Sequence, residues 1–97
     1  MKLLIVSATE GEITPLLQYL RKTWESPTLN RFINYNTEIN ICITGVGMVA
    51  TTYAVTKALH QSYDLVLQAG IGGSFDKNIE LGEVVFITSE QYGDLGA

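Results

Sequence analysis

Asp64-Leu-Val-Leu-Gln-Ala-Gly-Ile-Gly-Gly-Ser-Phe75 is the stretch whose reading decides the fold. Leu65, Val66 and Leu67 form an uninterrupted apolar run, with Ala69 beyond the single polar Gln68. Such a run suits a strand buried on both faces, as in a parallel sheet covered by helices. Gly70, Gly72 and Gly73 then break it. Glycines at a strand exit let backbone N–H groups approach a ligand that side chains would hold off, although they also serve simply to turn the chain. In open α/β sheets ligands lie just past the carboxyl ends of the strands, so the chemistry at the other strand ends decides between the two.

Working outward, Leu3 to Val6 is a second continuous apolar run and is expected to be a central strand. Behind it, Ile13, Leu16, Leu17, Leu20 and Trp24 repeat at helical spacing and make one stripe facing the sheet. The helix start has two readings. Thr9 with Glu12 matches a capping box, whereas Thr14 with Pro15 matches a cap followed by proline in the first helical position. A short turn over residues 9–13 leading into the helix satisfies both. Thr23 to Asn30 reads as a loop, and Arg31–Tyr35 with Glu38–Thr44 as an antiparallel hairpin turning at Asn36-Thr37. Ile39, Ile41 and Ile43 alternate with Asn40, Cys42 and Thr44, so one face of the second hairpin strand is expected to be buried. A second helix runs from Met48 to about His60, and Glu83 to Thr88 reads as a last apolar strand. The order strand, helix, hairpin, helix, strand, strand is that of an α/β fold with a mixed sheet.

The 97 residues suffice for one small domain, and 46% apolar against 16% charged residues gives it a core. A net charge of −4 without any run of Lys or Arg argues against nucleic acid or an anionic membrane as partner. No apolar stretch approaches the roughly 18 residues of a membrane span. Met1 to Ala8 resembles a short secretion signal, but Thr9, Glu10 and Glu12 follow at once, and the segment reads as structure. The lone Cys42 allows no internal disulfide, which fits a cytoplasmic protein, and it is expected to be a small packing residue. Gly45-Val-Gly-Met-Val-Ala50 has the dinucleotide spacing but follows the wrong strand, and Asp64 begins a strand instead of ending one, so that function is not adopted. His60 near a helix end is expected at the surface, and with Cys42 it has no partners at metal-ligand spacing. Only two helices cover an apolar sheet, and the last residues end in a loop, so the chain looks cut short.

Three stretches together resemble the nucleoside phosphorylase/nucleosidase superfamily. They are Ser7-Ala-Thr-Glu-Gly-Glu12, Thr44-Gly-Val-Gly-Met-Val-Ala50, and Gln68-Ala-Gly-Ile-Gly-Gly73 with Leu81-Gly-Glu-Val-Val85. The resemblance implies a three-layer sandwich with a central mixed β-sheet flanked by helices, residues 1–97 being the N-terminal part of a single nucleosidase-like domain. Family members are longer. Their second half supplies a Glu that grips the ribose hydroxyls and an acid that protonates the leaving base, and neither is in this chain.

Phosphorylases of the superfamily position phosphate with arginines, yet the loop after the first strand carries Glu10 and Glu12, and the glycine loop has no Arg or Lys. Like charges a few ångströms apart repel by about 1 kcal/mol in water and several-fold more in a drier cleft. Water is the better guest, and the hydrolase branch is implied. In that branch Glu12 matches the glutamate that activates water, with Ser7, Ala8, Gly70, Ile71, Gly72 and Gly73 along the substrate. No metal and no cofactor are implied. The partner expected is a purine nucleoside, and the assembly a homo-oligomer. Gly70-Ile-Gly-Gly-Ser-Phe75 and Tyr92-Gly-Asp-Leu-Gly-Ala97 are similar to the futalosine hydrolases, which release hypoxanthine in menaquinone biosynthesis. Methylthioadenosine/S-adenosylhomocysteine nucleosidases, which usually have Ser where Ile71 stands, are the alternative. From a different class comes a non-catalytic fragment that binds nucleoside or pairs with itself.

Overall fold

The computed structural model describes residues 1–91 and Gly93. Strand β1 (Lys2–Ser7) leads through a 3₁₀ turn (Glu10–Ile13) into helix α1 (Thr14–Thr23). Strands β2 (Glu25–Thr28), β3 (Arg31–Asn34) and β4 (Thr37–Ile43) follow, then helix α2 (Met48–Ala58) and strand β5 (Leu65–Gln68). The strands form one mixed sheet in the order β2-β3-β4-β1-β5. β1 runs parallel to both β4 and β5, while β2, β3 and β4 are antiparallel neighbours.

Alternation along the strands sorts the side chains into two layers. On one face Ile5, Phe32, Ile39 and Ile41 pack with Ile13, Leu17 and Leu20 of the turn and α1, and Leu3, Leu16, Trp24 and Ala69 close the margin. The helical stripe read from the sequence is thus the stripe that is buried. On the other face, Val6, Val66 and Gln68 line an open cavity together with Thr51, Thr52, Val55 and Thr56 of α2. Helix, sheet, helix is the α/β arrangement expected, with β1 at its centre: Leu4, Ile5 and Val6 are buried. The helix start also takes the combined form, a turn from Glu10 followed by a helix with Pro15 in its first positions.

Five expectations need correction. Glu25–Thr28 is a strand within the stretch read as a loop; it pairs with β3 around a register shift that accommodates Ser26 and Pro27. The hairpin turns at Tyr35-Asn36, one residue early, because Asn34 pairs with Thr37. β5 is half-exposed (Leu65 49%, Val66 43%, Leu67 44%), since it is the last strand of the sheet and nothing lies beyond it among the described residues. Ile43, likewise, is partly exposed at the end of β4. Glu83–Thr88 forms no strand; Val84, Val85, Phe86 and Ile87 are exposed, and an apolar run becomes a strand only where a neighbouring edge pairs with it. The expectation resting on Tyr92, Asp94, Leu95, Gly96 and Ala97 lies outside the described residues.

Candidate active site

The three parallel strands deliver their carboxyl ends to one place. Past β1, Ser7 O accepts from Thr44 N and Ala8 O from Gly45 N, each at 2.9 Å, so the chain leaving β4 stays against the chain leaving β1. On the other side Ala69 N donates to Val6 O at 2.9 Å and carries the β5 pairing outward to the glycine loop. Ser7–Ala8, Thr44–Gly45 and Gly70–Ile71 therefore share one end of the sheet, the end where open α/β sheets hold ligands.

Glu12 reaches into this end from the 3₁₀ turn. Its Oε2 accepts from Thr9 N at 3.2 Å, which is the carboxylate half of a capping box. The Ser7 hydroxyl lies 3.2 Å from the same oxygen and 2.9 Å from Thr9 O, so its single proton serves both acceptors. Oε1 points the other way, toward the glycine loop, where Ile71 N donates to it at 3.5 Å. The carboxylate thus spans the gap between the exits of β1 and β5. Hydrogen bonding from Thr9 N–H holds Glu12 below its ordinary pKa of 4.5; partial burial opposes this, and Ile71 N–H and the Ser7 hydroxyl add to it. Near neutral pH it is a carboxylate. None of the ion pairs among the described residues involves it, and Glu10 on the same turn is occupied by Arg21 of α1 at 3.3 Å.

The glycines divide. Gly70 faces Glu12, where a Cβ would lie 3.5 Å from Oε1; at Gly72 and Gly73 a Cβ would meet open space. Ile71 contributes its N–H while its side chain is exposed. Ser7 is completely buried, and Ala8 lends its carbonyl to Gly45. Of the residues singled out from the sequence, Ser7 and Ile71 hydrogen-bond to Glu12 and Gly70 lies beside it, Ala8 follows Ser7 in the chain, and Gly72 and Gly73 are exposed.

Sequence reasoning passed over Thr44. It is buried, and its hydroxyl lies 2.8 Å from Gly45 O and 3.3 Å from the Thr51 hydroxyl, tying the β4 exit to α2. A threonine between an apolar strand and a glycine pair was the available signal. Cys42 is half-buried, and burial raises its thiol pKa, which leaves it a packing residue.

The parallel strands of this α/β sheet thus end at an ionised carboxylate facing a glycine loop. The chain belongs to the phosphorylase superfamily, whose family model matches residues 2–97. It is similar to the aminodeoxyfutalosine nucleosidase of Campylobacter jejuni, with 28% identity over 100 aligned residues that cover 98% of this chain and 44% of that protein. The chain thus spans less than half the length of this curated relative. No solved structure matches it. Among the described residues no helix is long and apolar enough to cross a membrane.

Proposed function

We propose that this chain supplies the water-activating half of a nucleosidase that hydrolyses the N-glycosidic bond of a futalosine-type purine nucleoside. One observation carries the reading: the Glu12 carboxylate is fixed by Ser7, Thr9 and Ile71 at the strand ends without a Lys or Arg beside it. A carboxylate has about four acceptor positions. Three are engaged, and the fourth, on Oε1, is open to a water. The name of the Campylobacter relative supports the futalosine-type substrate, as do the Ile71 and Ser74-Phe75 positions of the glycine loop.

The mechanism follows from the balance of charge. Glycosidic cleavage passes through an oxocarbenium-like state. A carboxylate that is ionised but only weakly basic holds water until that cation forms, then takes its proton as the C–O bond closes. It also stabilises the cation electrostatically, which a phosphate-binding arginine at the same position would oppose. In the family resembled, the ribose-gripping and leaving-group residues lie in the second half, which this chain does not span.

In the full-length protein, Glu12→Gln should lower turnover by at least about a hundredfold in a protein that still folds. A variant keeping most of its turnover overturns the role of Glu12. Futalosine, aminodeoxyfutalosine and methylthioadenosine, offered separately, should show base release from a futalosine-type nucleoside. Release from methylthioadenosine alone overturns the substrate class. The exposed β5 edge favours a second reading for the 97-residue chain taken by itself, a binder or self-associating piece without turnover; a clear nucleosidase rate from it alone rules that out.

A further inference from the structure

We infer that Ser7 is the positioning residue of Glu12, fixing which carboxylate oxygen faces the strand-end cleft, and that it makes no contact with substrate. The inference rests on the nucleosidase reading and deepens it. Ser7 ends β1, the central strand, and its side chain is completely buried. Its hydroxyl has two neighbours, Glu12 Oε2 at 3.2 Å and Thr9 O at 2.9 Å. Both belong to the turn that carries the carboxylate, so one hydroxyl ties the start and the end of that turn to the strand.

The geometry makes the two carboxylate oxygens unequal. Oε2 is held by Thr9 N–H and by Ser7, both fixed to the β1 exit. Oε1 has only the longer bond from Ile71 N at 3.5 Å and is the oxygen with capacity to spare. Terminal carboxylate torsions are broad and soft. Without Ser7, Oε2 keeps one anchor and the group can turn about it, so Oε1 no longer holds a water in one place. Catalysis is sensitive to misplacement of this size. A buried hydroxyl committed to two internal acceptors has no donor left for a nucleoside, which separates Ser7 from the residues on the open rim.

Among the described residues the charged surroundings of Glu12 are simple. On the turn itself Glu10 is paired with Arg21 of α1; β1 presents Ser7, and the β5 exit presents the backbone of Gly70 and Ile71. A change in the titration of Glu12 on altering Ser7 therefore reports their own hydrogen bond.

The test uses the full-length protein with a futalosine-type nucleoside, comparing wild type, Ser7→Ala, Ser7→Cys and Glu12→Gln. Ser7→Ala should lower kcat about tenfold, leave KM within about twofold, and move the acid limb of the kcat profile to higher pH, because a donor to the carboxylate is lost. Ser7→Cys keeps the side-chain shape with a slightly larger atom but is a weak donor, and it should follow the alanine variant in both kcat and acid limb. A rise in KM at unchanged kcat would make Ser7 a substrate contact and overturn the inference, as would a cysteine variant matching wild type or an unmoved acid limb. If Glu12→Gln is inactive and Ser7→Ala is normal, this inference alone fails; if Glu12→Gln is active, the nucleosidase reading fails with it.

Discussion

Glu12 takes hydrogen bonds from three directions, and this ties folding stability to pH in a definite sense. Its folded pKa lies below the ordinary 4.5, with Thr9 N–H the largest cause, so the carboxylate stabilises the fold above the unfolded value and that contribution is lost as pH falls through the folded one. Glu38 behaves alike, lowered first by the hydrogen bond from Arg31 and also by Asn40 and Lys2. Urea unfolding of this chain should show the gap between wild type and Glu12→Gln to be largest near pH 7 and to shrink below about pH 4.5. A gap constant across that range would mean that the hydrogen bonds to Glu12 do not distinguish its charged from its neutral form. The gap for Glu38→Gln, at the opposite end of the strands from the site, should shrink in the same window, and this variant should leave turnover alone. At this scale the sequence was informative only about partners that are close along the chain. Thr9 and Glu12 lie within one turn and read directly as a capping box. The approach of Ile71 to Glu12 needs β5 to pair with β1, which no local pattern states.

The elements show where local pattern is enough and where it is not. α1 and the β3–β4 hairpin were legible because each carries its own periodicity and end signals. β2 was not: Glu25-Ser-Pro-Thr28 has no strand character, and it is extended because β3 lies beside it. Glu83–Thr88 is the reverse case, strong local character without a partner. The glycines differ among themselves too, since only some are required by the backbone. Gly47 caps α2 at φ 102° and ψ 162°, a region closed to residues with a Cβ, whereas Gly72 has no unusual φ and open space about it. Gly47→Ala should cost about 1–3 kcal/mol in denaturant unfolding, and Gly72→Ala less than about 0.5 kcal/mol. Equal costs would refute the assignment. Tyr35 sits at φ 52° in the hairpin turn with its side chain in solvent, so Tyr35→Asn should stabilise the chain by up to about 1 kcal/mol.

Across the whole molecule the two edges of the sheet are treated differently, and this bears on association. β2 at one edge is short, interrupted by a register shift, and carries Glu25 and Pro27, features that discourage another strand from pairing there. β5 at the other edge is Leu-Val-Leu-Gln, half-exposed and without charge or proline. Close by in sequence, Phe75, Leu81 and the run Val84–Ile87 are exposed as well. The radius of gyration of 15.0 Å exceeds the roughly 13 Å of a packed domain of about 100 residues, consistent with a chain whose last third adds surface faster than core. Unpaired backbone along β5 together with uncovered apolar side chains favours pairing between copies. The isolated 97-residue chain should therefore elute ahead of a monomer in size-exclusion chromatography, increasingly so at higher concentration. Leu65→Lys places a charge on the unprotected edge and should return the chain toward monomer, while the core on the α1 side, built from β1, β3 and β4, keeps its unfolding midpoint within a few degrees. A wild-type chain that is monomeric at all concentrations, or a lysine variant that associates as before, would mean that β5 is not the associating edge.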